Sequence, residues 1–84
     1  MDIDFIEQLR NEALVYLKKL FDDGKIDFDK TRDIALKIEE MRSCDSPEKL
    51  LEIIKSLDDG DKQMNQIVLK FIGKWVEKYG SAKQ

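Results

Sequence analysis

The sequence predicts an all-α fold, a small antiparallel (up-down) four-helix bundle with a short third helix, on three observations. Apolar residues recur at the three-and-four spacing of a helix and do not alternate as on a half-buried strand. Breakers are scarce, with four Gly, one Pro and one Thr in 84 residues. Short turns separate four periodic segments, and helices so joined pack as antiparallel neighbours. A chain of this length has room for one domain, since cores divide only in chains several times longer.

The first helix is expected over about 4–22. Phe5, Ile6, Leu9, Ala13, Tyr16, Leu17 and Leu20 share one face, and Asp4 with Glu7 three residues on reads as a capping box. Gly24 ends it, because Gly takes the left-handed conformation at little cost. A second helix is expected over about 28–43, capped by Asp27, with Ile34, Ala35, Ile38 and Met41 inward. Ser46-Pro47 marks the clearest boundary: Ser caps, and Pro at the first helical position lacks only an N–H that has no helical partner anyway. The third helix, 47–57, carries Leu50, Leu51, Ile53, Ile54 and Leu57.

Asp58-Asp59-Gly60-Asp61 ends that helix and caps the fourth, expected over 61–79 with Met64, Ile67, Val68, Phe71, Ile72, Trp75, Val76 and Tyr79. Its apolar arc covers about half the wheel, so it contacts more than one neighbour and forms the centre of the core. Residues 80–84 are a polar tail. Gly73 lies on the polar side, where it costs roughly 1 kcal/mol against Ala; close helix approach would explain it, and otherwise nothing does. The turns at 20–24 and 56–60 look alike, but their flanking helices do not align, so they are similar turns and not a duplication.

Composition excludes much chemistry. The chain has no His, the side chain most used as general base and metal ligand near neutral pH. Cys44 is the single cysteine, so no intramolecular disulfide or Cys-based metal site can form. A thiol so used fits a reducing, cytoplasmic setting. No apolar run approaches a membrane span, and the acidic start does not resemble a signal peptide. No metal, cofactor, membrane or small-molecule substrate is expected, and no catalytic residue is assigned. A carboxylate-and-metal enzyme would need groups converging in a pocket, and sequence spacing places none there.

Two loops invite a calcium-binding reading and fail it. With Gly24 at the sixth position of such a loop, Lys19 takes the first and Lys30 the twelfth, where acids are required; Gly60 puts Lys55 first. The acidic turns are unusual for another reason. Asp22, Asp23, Asp58 and Asp59 sit at helix C-termini, where the dipole disfavours negative charge. In an up-down bundle these turns share one end with Asp27, Asp29 and Asp61, making seven acids against Lys25, Lys30 and Lys62. The preference of Asp for turns and caps accounts for part of this pole; a basic partner surface or a weakly held cation is the functional alternative.

Charge also divides along the chain. Residues 1–61 hold ten bases and seventeen acids, and residues 62–84 hold five bases and one acid. Lys70, Lys74 and Lys78 form a basic edge on the fourth helix that is either a solvated flank or a phosphate-contacting surface. The acidic remainder of the chain works against nucleic-acid binding. Residues 66–79 alone resemble a basic amphipathic ligand helix, but three other apolar faces need covering, so Phe71, Trp75 and Tyr79 belong to the core. Cys44 lies just before a helix N-terminus, which lowers a thiol pKa, while Asp45 raises it and no base adjoins. Glu39 and Glu40 read as solvated charge.

The apolar surplus points to association. Val15 and Leu36 fall opposite the core arcs, while Ile3, Leu14 and Phe21 widen the first helix's face beyond what one neighbour covers. The leading expectation is a non-catalytic protein-protein interaction module, an adaptor, regulator or minor subunit. It binds another protein or a second copy through Leu14, Val15, Phe21 and Leu36, with the acidic pole orienting the encounter. The alternative is nucleic-acid binding through Lys70, Lys74 and Lys78.

Overall fold

A computed structural model describes residues 2–58, 60 and 62–80. It is all-α, with no strand among the described residues: α1 (Ile3–Asp22), α2 (Phe28–Glu40) extended by a 3₁₀ turn (Met41–Ser43), α3 (Pro47–Ser56), α4 (Lys62–Trp75) and a π-helical turn (Val76–Gly80). The bundle is elongated, with extents of 42 × 22 × 17 Å.

Local chemistry sets most of the boundaries. Asp27 Oδ1 accepts from the Lys30 N–H at 2.8 Å and Ser46 Oγ from the Lys49 N–H at 3.2 Å, satisfying donors with no helical partner. The first cap differs from expectation. Asp2, not Asp4, accepts from the Phe5 N–H, at 3.2 Å, and its carboxylate also pairs with Lys78. Glu7 is accordingly free of a capping role and bonds Arg10 at 2.8 Å. At the other end of α1 the Lys25 N–H reaches the Leu20 carbonyl and the Gly24 N–H reaches that of Phe21. This is a Schellman motif, with Gly24 at φ +73°. The reversal turns Ile26 back onto the core, a burial that an isolated apolar residue in a polar turn does not announce.

Contacts between helices run in opposite residue order, as an up-down bundle requires. Along α1 and α4, Asp2 meets Lys78, Glu12 meets Lys74, and the Tyr16 hydroxyl donates to the Gln63 carbonyl at 2.8 Å. Between α1 and α2, Arg42 lies 3.6 Å from Glu7 and Arg10 3.0 Å from Glu39. The Trp75 indole N–H donates to the Pro47 carbonyl at 2.9 Å, joining the end of α4 to the start of α3.

The core is continuous. Leu9, Ile38, Met41, Leu50, Ile54, Leu57, Met64 and Phe71 are its most fully enclosed side chains. Phe71 is central, whereas Trp75 and Tyr79 are half-buried and pack on its margin. Val76 is exposed, since it falls at the outer limit of the α4 apolar arc. A Cβ added at Gly73 would meet nothing within 4 Å, so no close helix approach accounts for that glycine.

Candidate functional site

The four apolar residues singled out on α1 and α2 do not form one surface. Leu14 is half-buried and packs against the core, because it faces α2 and not solvent. Phe21 lies on the same α2-facing side of α1. Its ring meets that of Phe28 edge-on, with centroids 6.5 Å apart and planes at 69°. Both rings stay open to solvent, Phe21 41% and Phe28 66% exposed. Arg10–Glu39 and Phe21–Phe28 fix the α1/α2 register. At that register Leu14 is level with Ala35, whereas Leu36, 61% exposed, lies on the outer face of α2, opposite the buried Ile34 and Ile38. Leu36 therefore stands apart from the Phe21–Phe28 pair, eight residues along α2 from Phe28 with the exposed Arg32 between them. Val15 is separate: it lines a groove between α1 and α4 with Tyr16 and Ile67.

Phe28 was hidden in the sequence at the start of a helix, with no face of its own. The pairing appears only once α1 and α2 are set antiparallel. Large exposed aromatic side chains in contact with each other mark surface that water covers at a cost of about 25 cal/mol per Å².

Charged residues rim the aromatic pair. Lys18 pairs with Asp22 at 2.9 Å. Arg32 stands 4.0 Å from both Asp29 and Asp33, at the limit of an ion pair. Farther along, Arg10 links Glu7 and Glu39. The Arg10 hydrogen bond holds the Glu7 carboxyl below the usual carboxylate range.

The acidic pole is partly occupied with local structure. Asp58 accepts from the Gly60 N–H and from the Asn65 side-chain amide, both at 3.1 Å, and Asp22 is held by Lys18. Asp23 caps the end of α1 through its backbone. Asp59 and Asp61 lie outside the described residues. No three acids or thiols come close enough together to hold a metal ion among the described residues.

The basic edge faces α1 carboxylates. Lys74 Nζ contacts both oxygens of Glu12, at 2.8 and 3.0 Å, and Lys70 approaches the same carboxylate at 3.8 Å. Lys78 pairs with Asp2 and stands 5.7 Å from the centroid of the Phe5 ring. That ring in turn meets Tyr79 edge-on at 5.7 Å. The lysines thus answer acids of α1, which sequence spacing alone cannot show.

Cys44 is half-buried beside the groove formed by Ile3, Ile6, Glu7 and Arg42. Burial pushes its thiol up, away from the thiolate needed for nucleophilic chemistry. No helix of the described residues is long and apolar enough to cross a membrane. Comparison with protein-family models, with curated proteins and with solved structures finds no match, so the reading rests on the geometry above.

Proposed function

We propose that the chain is a non-catalytic protein-protein interaction module, an adaptor, regulator or minor subunit, that docks another protein or a second copy through the α1/α2 edge. The observation that carries the reading is the solvent-open Phe21–Phe28 pair, with a further exposed apolar side chain, Leu36, on the outer face of α2. Aromatic anchors of this kind supply most of the affinity at protein interfaces, and the charged rim restricts orientation. The unpaired Cys44 and the lack of any His suit a protein working without covalent chemistry in the cytoplasm. Phosphate binding through α4 is the weaker reading, because Lys74 and Lys78 already neutralise Glu12 and Asp2.

Affinity capture from native host lysate, run with wild-type chain and with Phe28→Ser/Leu36→Asn, tests it. Both positions are solvent-exposed, so the variant keeps its fold. Leu14 is unsuited to this test, because its substitution would also disturb the core. A protein recovered by the wild type and lost with the variant supports the module. Identical recovery by both chains removes the α1/α2 edge from the account.

A further inference from the structure

The α1/α4 groove is a second surface, independent of the α1/α2 edge. Its cavity of about 390 Å³ has Val15, Tyr16 and Ile67 as an apolar lining and Lys19, Lys70 and Glu12 at its rim. Tyr16 is fixed there by its hydrogen bond to the Gln63 carbonyl. Val15 is 71% exposed, so the groove is open on its α1 wall.

The rim charges are unequal in what they have left to offer. Glu12 is held through both oxygens by Lys74, which spends its negative charge within the fold. Lys70 reaches that carboxylate only at 3.8 Å. Lys19 is exposed and has no carboxylate partner among the described residues. The groove therefore presents two under-neutralised ammonium groups around an apolar floor, in a chain whose net charge is −3.

Their spacing specifies an occupant. Lys70 reaches toward Glu12 from α4, and Lys19 lies seven residues beyond Glu12 on α1, about 10 Å along the axis at 1.5 Å per residue. Val15 and Tyr16 fall between. A helix laid along the groove presents one face at the same interval: acids seven positions apart, with apolar residues three and four positions after the first. We propose that this groove docks an acidic amphipathic helix of a protein partner, its apolar side chains over Val15 and Ile67 and its carboxylates on Lys19 and Lys70.

The probe is a roughly fourteen-residue Ala/Gln helical peptide with two Glu seven positions apart and two Leu between them. It is titrated into isotope-labelled full chain and followed by amide chemical shifts. A counterpart with Lys in place of Glu, and decanoate as an anionic amphiphile, are titrated alongside. Saturable shifts are expected at Val15, Tyr16, Ile67 and Lys70. Affinity is expected to fall about tenfold or more with the Lys peptide and with Lys19→Gln/Lys70→Gln. Val15→Asp should abolish binding, with circular dichroism unchanged in both variants. Equal response to both peptides, shifts at Phe21, Phe28 and Leu36 instead, saturable binding of decanoate but not of the peptide, or no shift at millimolar peptide would each overturn the proposal. The last outcome leaves the α1/α2 reading standing, since the two surfaces share no residue.

Discussion

Glu12 on α1 accepts from Lys74 on α4 through both carboxylate oxygens, at 2.8 and 3.0 Å, across a sequence separation of 62 residues. The contact ties the two ends of the chain's charge asymmetry together, the basic fourth helix against the acidic first. It also accounts for a lysine edge without any external phosphate. Glu12→Gln should release Lys70 and Lys74 and lower stability by about 0.5 kcal/mol, since both partners remain over a third exposed. The same variant should gain weak, salt-sensitive retention on heparin relative to the wild type. Unchanged retention would mean that the carboxylate does not mask the edge.

The sequence offers Asp4 as the first cap, and the structure gives that role to Asp2. Asp2 serves the Phe5 N–H and Lys78, whereas Asp4 is exposed in the first turn. Asp2→Ala is expected to lower the urea midpoint clearly and Asp4→Ala to leave it nearly unchanged. Equal losses would contradict the assigned cap.

Gly73 stands in the interior of α4 with open space where a Cβ would go and no positive φ. Gly73→Ala should therefore stabilise the chain by about 0.5–1 kcal/mol, raising Tm by several degrees. Gly24 is the opposite case, since its φ of +73° is costly for any side chain. Gly24→Ala should destabilise by about 1 kcal/mol and loosen Ile26 from the core. A thermal melt of both variants checks the contrast in sign.

Acid should weaken the fold through two carboxylates. Lys78 and the Phe5 N–H hold Asp2 below its ordinary pKa, and Arg10 does the same for Glu7. Such groups contribute stability that is full above the unfolded value, near 4, and lost as pH falls through the lower folded one. Urea midpoints should hold from pH 7 to about 5 and decline below about 4. Asp2→Asn with Glu7→Gln should be less stable at pH 7 and show a shallower decline.

Much of the fold was legible because its determinants are local. Ser46-Pro47 and Asp27 carry their capping chemistry with them, and the helical period placed Leu9, Ile38, Leu50, Ile54 and Phe71 inward. Ile26 was not legible, since its burial depends on the chain reversal at Gly24. Asp2 won the cap through Lys78, from the far end of the chain. The candidate surface was half-visible: Phe21 and Leu36 stood out as surplus apolar residues, but a helical wheel does not say which neighbour lies on which side. Without that neighbour order a wheel sets Leu14 beside Val15, although one faces α2 and the other α4, and gives Phe28 no partner.

Site-specific photo-crosslinking in cells of the native host tests whether this surface meets a protein partner. A benzophenone side chain replaces exposed Leu36 on α2 or, as the control, exposed Glu48 on α3. A discrete protein adduct is expected from position 36, reduced by Phe28→Ser, and none from position 48. Indistinguishable adducts from the two positions, or none from position 36, would contradict the proposed docking.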